Sequence, residues 1–128
     1  MSRITGLHHV QVAAPPGCEE EARAFYSELL GLTEIDKPPL LATRGGCWFR
    51  GGAAELHVGV EDPFKPAAKA HPAFSVDSVA ALDELASSLA DAGVEVRWAN
   101  DAEIPTQRRF HAGDPWGNRV EVVAAADG

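Results

Sequence analysis

The chain has 128 residues, 45% hydrophobic and 23% charged, the balance of an ordinary globular domain able to bury a core. Its net charge of −8 argues against nucleic acid as a partner, because phosphate binding needs clustered Lys and Arg. No apolar run approaches the roughly 18 residues of a membrane span, and the N-terminus lacks the apolar stretch of a signal peptide. Cys18 and Cys47 form no metal motif and fit a reduced, cytoplasmic protein better than a disulfide framework.

Leu7–Ala14 is rich in β-branched residues and stops at Pro15-Pro16, which predicts a strand. Cys18–Leu30 follows as a helix: Ala22, Phe25, Leu29 and Leu30 fall at helical spacing, acidic residues crowd the first turn, and Gly31 closes it. From Leu32 to Val60, the Pro38-Pro39, Gly45-Gly46 and Gly51-Gly52 pairs separate short strands expected near Leu40–Thr43, Cys47–Arg50 and Ala54–Val60. Asp62–Ala70 carries two prolines and few large apolar residues, so it is the expected linker. The pattern then restarts with a strand at His71–Val76. A helix is capped by Asp77 or Ser78 and ended by Gly93, with Val79, Leu82, Leu85, Ala86 and Leu89 on one face. A strand at Val94–Trp98 precedes a hairpin whose arms, Arg108–Ala112 and Arg119–Ala124, flank the turn from Asp114 to Asn118.

The restart has a fixed period. His9 lies 22 residues before the helix-ending Gly31, and His71 lies 22 residues before Gly93. Two β-α-β-β-β halves, about 4–61 and 70–126, are therefore offset by 62 residues within a single domain spanning 1–128. Applied to His57, that offset falls two residues short of Glu121, a gap a small insertion in the hairpins absorbs. Neither half covers a sheet face well alone, so the halves are expected to pair.

Strand alternation decides which side chains converge. It groups His9 with Gln11, Glu55 with His57, His71 with Ala73 and Ser75, and Glu121 with Val123, each set opposite an apolar face. An ionisable residue on the second face of four strands is unusual for a core and natural for a lined cavity. Three histidines and a carboxylate suit Zn, Fe, Mn, Ni or Co, and without thiolates an open, non-structural site is the better expectation. Taken singly, a strand histidine is more often structural, and a strand glutamate more often solvated. His8 has the wrong parity and His111 sits beside the hairpin, so both are expected to be bystanders. Asp114 and Asn118 serve the turn, with Gly117 supplying positive φ. Packing is the more frequent role for Trp48, Trp98 and Trp116. Arg50, Arg108 and Arg109 are candidates for an anionic substrate, with surface ion pairing at least as common a role.

The opening GLHHVQVAAP, the helix ending ARAFYSELLGL, the second-half HPAFSVDSVAALDEL and the closing FHAGDPWGNRVEVV resemble the vicinal oxygen chelate superfamily. That is the glyoxalase, bleomycin resistance and extradiol dioxygenase group. The last segment is similar to the family's F-x-x-x-D-P-x-G-N-x-x-E signature, and the likeness covers almost the whole chain. The resemblance implies an α+β fold of two paired βαβββ modules forming an open, cupped mixed sheet with helices on its outer face, commonly in a homodimer. It implies a divalent metal on His9, His57, His71 and Glu121, with Glu55 able to exchange for His57 by a two-residue shift. His9, His71 and Glu121 alone would form the 2-His-1-carboxylate set of a non-heme iron centre.

Three functions follow from the resemblance. The first is a glyoxalase-type lyase or isomerase acting on a small vicinal-oxygen substrate through an enediolate, with Glu121 as the catalytic proton shuttle. The second is an Fe(II) extradiol-type dioxygenase. The third is a metal-free protein sequestering a small cationic antibiotic such as bleomycin. The acidic charge suits the third, but a sequestering protein does not need the histidines.

Overall fold

The computed structural model describes residues 2–128, which divide into two compact units, with the division between Lys65 and Pro66. The first unit opens with β1 (Val10–Ala14), which ends where Pro15-Pro16 withdraw a backbone donor. Helix α1 (Glu19–Ala22), with Glu19, Glu20 and Glu21 in its first turn, runs on into a π-helical stretch, Arg23–Leu29. The wider winding shows in the Leu30 N–H, which donates to the carbonyl five residues back, at Phe25. Phe25 and Tyr26 are consequently both buried, while Leu29 and Leu30 are only half-buried.

Strands β2 (Thr33–Ile35), β3 (Cys47–Gly51) and β4 (Ala54–Val60) complete this unit in the order β1-β4-β3-β2. β1 and β4 are parallel; the other pairs are antiparallel. The strand expected at Leu40–Thr43 is instead a helical turn, α2 (Pro39–Ala42). Pro38 stands extended at its N-cap, and Pro39 occupies a first helical position, where a missing N–H and a fixed φ cost nothing. The Leu41 and Ala42 N–H groups both donate to the Pro38 carbonyl, which closes the turn. The second strand of this unit is the unforeseen Thr33–Ile35.

The second unit repeats the order with β5 (Ala73–Ser75), α3 (Val79–Asp91), β6 (Val96–Trp98), β7 (Gln107–Gly113) and β8 (Arg119–Ala125). Its sheet runs β5-β8-β7-β6, again with one parallel pair, β5 and β8. The Ser78 hydroxyl accepts from the Ala81 N–H and caps α3. Leu82, Ala86 and Leu89 are buried where α3 packs on β6, β7 and β8. Phe110, Ala112, Val120, Val122 and Ala124 alternate along β7 and β8 as the buried set.

The chain thus has the expected α+β class, two open mixed sheets each built from a βαβββ module. Gly31 and Gly93 follow the two helices at φ of 83° and 86°, a left-handed conformation that only glycine adopts freely. Among the described residues no helix is long and apolar enough to cross a membrane. Cys18 and Cys47 are free and buried, and burial pushes both thiols up to about 11, so neither offers a thiolate.

Candidate metal centre

Strand register fixes which residues of the two modules correspond. Gln11 pairs with His57 across β1 and β4, and Ala73 pairs with Glu121 across β5 and β8. Ala73 lies 62 residues after Gln11, whereas Glu121 lies 64 after His57. His57 and Glu121 are therefore equivalent positions, and the hairpins absorb the difference. Their antiparallel partners are equivalent too: Trp48 opposite His57 and His111 opposite Glu121.

In the first module His57 lies between two rings. Its imidazole stacks on Trp48 at 3.9 Å between centroids and 2° between planes, and on His9 at 4.1 Å and 14°. His9 and His57 therefore share a face, as alternation predicts. Glu55 joins them there, its Oε1 3.0 Å from His57 Nε2. Arg50 donates to the other oxygen of Glu55 at 3.3 Å. The hydrogen bond from His57, then that from Arg50, holds the Glu55 carboxyl below the usual carboxylate range, with burial opposing. His57 is buried, Glu55 is half-buried and His9 is exposed. His8 touches this set at its exposed end, with its Nδ1 3.0 Å from His9 Nδ1.

In the second module three side chains converge. Glu121 Oε1 lies 2.9 Å from His71 Nε2 and 3.0 Å from His111 Nε2. One donor atom from each residue falls within 4.8 Å of the others. Glu121 Oε2 faces Arg109, whose Nη1 is 3.9 Å away. Burial raises the Glu121 carboxyl's proton affinity, but the bonds from His71 and His111 and the charge of Arg109 outweigh it, leaving the group below its ordinary value. Glu121 is a carboxylate at neutral pH.

Sequence reasoning set His111 aside, yet it completes this cluster. The signal was available in the hairpin: His111 and Glu121 lie equally far from Trp116 at the turn, so antiparallel pairing sets them opposite each other.

The hydrogen bonding of His71 bears on whether a cation fits. Its Nδ1 lies 2.8 Å from the Lys69 carbonyl oxygen, which can only accept, so the Nδ1 carries a proton. A neutral imidazole has one N–H, and its Nε2 then turns a lone pair toward the Glu121 carboxylate at 2.9 Å. Two lone pairs at that distance need a positive charge to share, either a second ring proton or a metal ion. Backbone orientation of the remote ring nitrogen is also the usual support of a metal-binding histidine. Donors about 2.0–2.2 Å from an ion stand roughly 3.0–3.5 Å apart; Glu121 Oε1 already stands about that far from each histidine, and the three donors lie within 4.8 Å of one another. The residues fit a borderline divalent metal.

The hairpin turn holds β7 and β8 in register beside the cluster. Asp114 Oδ1 accepts from the N–H groups of Trp116 at 3.1 Å and Asn118 at 2.8 Å, and its Oδ2 accepts from Asn118 Nδ2 at 2.9 Å. Asp114 and Asn118 are both buried, so they serve the turn as expected.

Comparison with known proteins gives a consistent placement. The family model of the Glyoxalase/Bleomycin resistance protein/Dioxygenase superfamily matches residues 6–122. A Bacillus anthracis crystal structure assigned to the glyoxalase family is 50% identical, covers 98% of each chain and superposes with a TM-score of 0.89. Two more distant structures share the fold. The lactoylglutathione lyase of Agrobacterium tumefaciens is 21% identical over 96% of both chains, with a TM-score of 0.73. A fosfomycin resistance protein of Listeria monocytogenes is 18% identical over 96% of this chain and 95% of its own, with a TM-score of 0.75. A search of curated proteins finds no match. With two βαβββ modules in order and the family pattern running through nearly the whole length, the chain belongs to the glyoxalase, bleomycin resistance and dioxygenase superfamily.

Proposed function

We propose that the protein is a metal-dependent lyase or isomerase of the glyoxalase type, acting on a small substrate with vicinal oxygens. The observation that supports it best is the His71, His111 and Glu121 cluster, with the proton on His71 Nδ1 directed away from it. In this reading His71, His111 and Glu121 hold a divalent ion (Zn, Ni, Fe, Mn or Co). His9 and His57, the candidate ligands that the sequence supplies from the first module, are proposed as metal donors as well. When bound, the ion supplies Lewis acidity, drawing electron density from the substrate's oxygens so that an adjacent C–H becomes easier to ionise.

The chain's own residues do the rest. Glu121, held as a carboxylate by its imidazole and guanidinium neighbours, is the group able to take a proton and return it to an adjacent atom. Its Oε1 faces both histidines and its Oε2 faces Arg109, so it can turn one oxygen toward substrate while the other keeps a partner. Lys69 orients the His71 ring through its backbone, which keeps that donor in place as Glu121 moves.

One observation favours a second reading. Two histidines and one glutamate within 4.8 Å form the donor set of non-heme Fe(II) oxygenases. Purified protein assayed for metal, for turnover of a methylglyoxal–thiol adduct and for oxygen uptake with catechols separates the possibilities. Adduct turnover lost in Glu121→Gln supports the lyase; turnover that survives it removes the role given to Glu121. Oxygen consumption with an oxygen-sensitive iron centre supports the dioxygenase. Absence of stoichiometric metal, with ligand binding unchanged in His9→Ala, would leave a sequestering protein instead.

A further inference from the structure

We propose that Arg109 is the anchor for an anionic group of the substrate, which makes the substrate a small acid, a 2-oxo or 2-hydroxy carboxylate. This rests on the metal reading above. β7 places Arg109 two residues before His111, and strand pairing puts both on the face that carries Glu121. Its side chain is only 14% exposed, so the guanidinium is largely withdrawn from water and needs compensating charge. Two carboxylates supply it. Glu121 Oε2 lies 3.9 Å from Nη1, beyond hydrogen-bond reach, and Glu103 Oε1 lies 3.2 Å from Nη2.

These partners differ in permanence. Glu103 belongs to the turn segment between β6 and β7, and its side chain is 61% exposed, so it can swing into water at little cost. Glu121 is shared with His71 and His111 through its other oxygen, and an ion held there engages its charge. The guanidinium is then left with an exposed surface carboxylate in a position that a substrate carboxylate can take. Arg109 stands one carboxylate's width from the donor cluster. A substrate oxygen among those donors and a carboxylate on the next carbon fall within reach of both. The planar fork of arginine suits a carboxylate better than a neutral carbonyl.

The test uses zinc-loaded protein and two small probes, glycolate and its neutral counterpart hydroxyacetone, with zinc and probe affinities measured separately by calorimetry. Arg109→Gln should leave zinc affinity within about threefold, weaken glycolate by about 10- to 100-fold and leave hydroxyacetone nearly unchanged. Arg109→Lys keeps the charge without the fork and should fall between the two, which guards against a misfolded glutamine variant. Glu103→Gln removes the competing carboxylate and should tighten glycolate by a few-fold. Glycolate binding equally to wild type and Arg109→Gln, or not at all to zinc-loaded wild type, overturns the proposal while the metal reading stands. Loss of zinc along with glycolate in Arg109→Gln also overturns it, making Arg109 a positioning residue for Glu121. Failure of the wild type to bind zinc removes the metal reading, and this inference with it.

Discussion

Replacing His111 with alanine separates a metal ligand from a hydrogen-bonding neighbour. Without metal, the change deletes one contact, His111 Nε2 to Glu121 Oε1 at 3.0 Å, from a side chain 20% exposed. Glu121 keeps His71 at 2.9 Å and Arg109 at 3.9 Å, so the loss of folding stability should be about 1–2 kcal/mol. With metal, the change removes one of three converging donors. Losing even an outer partner of a ligand costs roughly 10–100-fold in metal affinity, so losing a donor should cost at least about 100-fold. That is about 2.8 kcal/mol. Urea unfolding in chelator measures the first quantity, and competitive zinc titration measures the second. His8→Ala serves as control, because that exposed ring, 3.0 Å from His9 Nδ1, is not one of the three converging donors. If His111→Ala binds zinc like the wild type while Glu121→Gln does not, His111 is not a ligand and the three-donor account is wrong.

Two further outcomes follow from the hydrogen bonds that hold each module. Glu19 Oε2 accepts from the Gly46 N–H at 2.6 Å, and this bond first, with burial opposing, holds the carboxyl below its ordinary value. A depressed carboxylate contributes stability above its unfolded pKa and loses it as pH falls through the folded value. Glu19→Gln should therefore cost about 1–2 kcal/mol at pH 7, discounted for partial exposure, and the difference should shrink below about pH 4. A difference that grows on acidification in urea titrations would contradict this sign. Asp114→Ala removes the acceptor of the Trp116 and Asn118 N–H groups and of Asn118 Nδ2 and should cost about 2–4 kcal/mol, with Asp114→Asn milder. Thermal unfolding of the three proteins checks the order.

Much of the architecture is legible in the chain because its cues are local and occur twice. The helix after each module's first strand is followed by a glycine 22 residues past a histidine just ahead of that strand. Gln11 and Ala73, which pair with His57 and Glu121, keep the 62-residue offset. The misreadings have local causes. Leu40–Thr43 carries apolar residues that suit a strand, but Pro38-Pro39 fixes the backbone for a helix start. Thr33–Ile35 is a three-residue edge strand, too short for alternation to show. His71 and Glu121 meet as strand parity suggests, whereas His111 could be placed only once the hairpin's pairing was counted. Neither the tautomer of His71 nor the partners of Arg109 can be read from sequence, since both depend on a backbone carbonyl or a turn glutamate brought near by folding.

The central claim is that the second module holds a divalent ion on His71, His111 and Glu121. Purified protein stripped with chelator and titrated with zinc, beside His71→Ala and Glu121→Gln, tests it most directly. The account predicts one tightly bound ion per chain in the wild type and affinity at least about 100-fold weaker in both variants. Equal binding in all three, or none in the wild type, would contradict it.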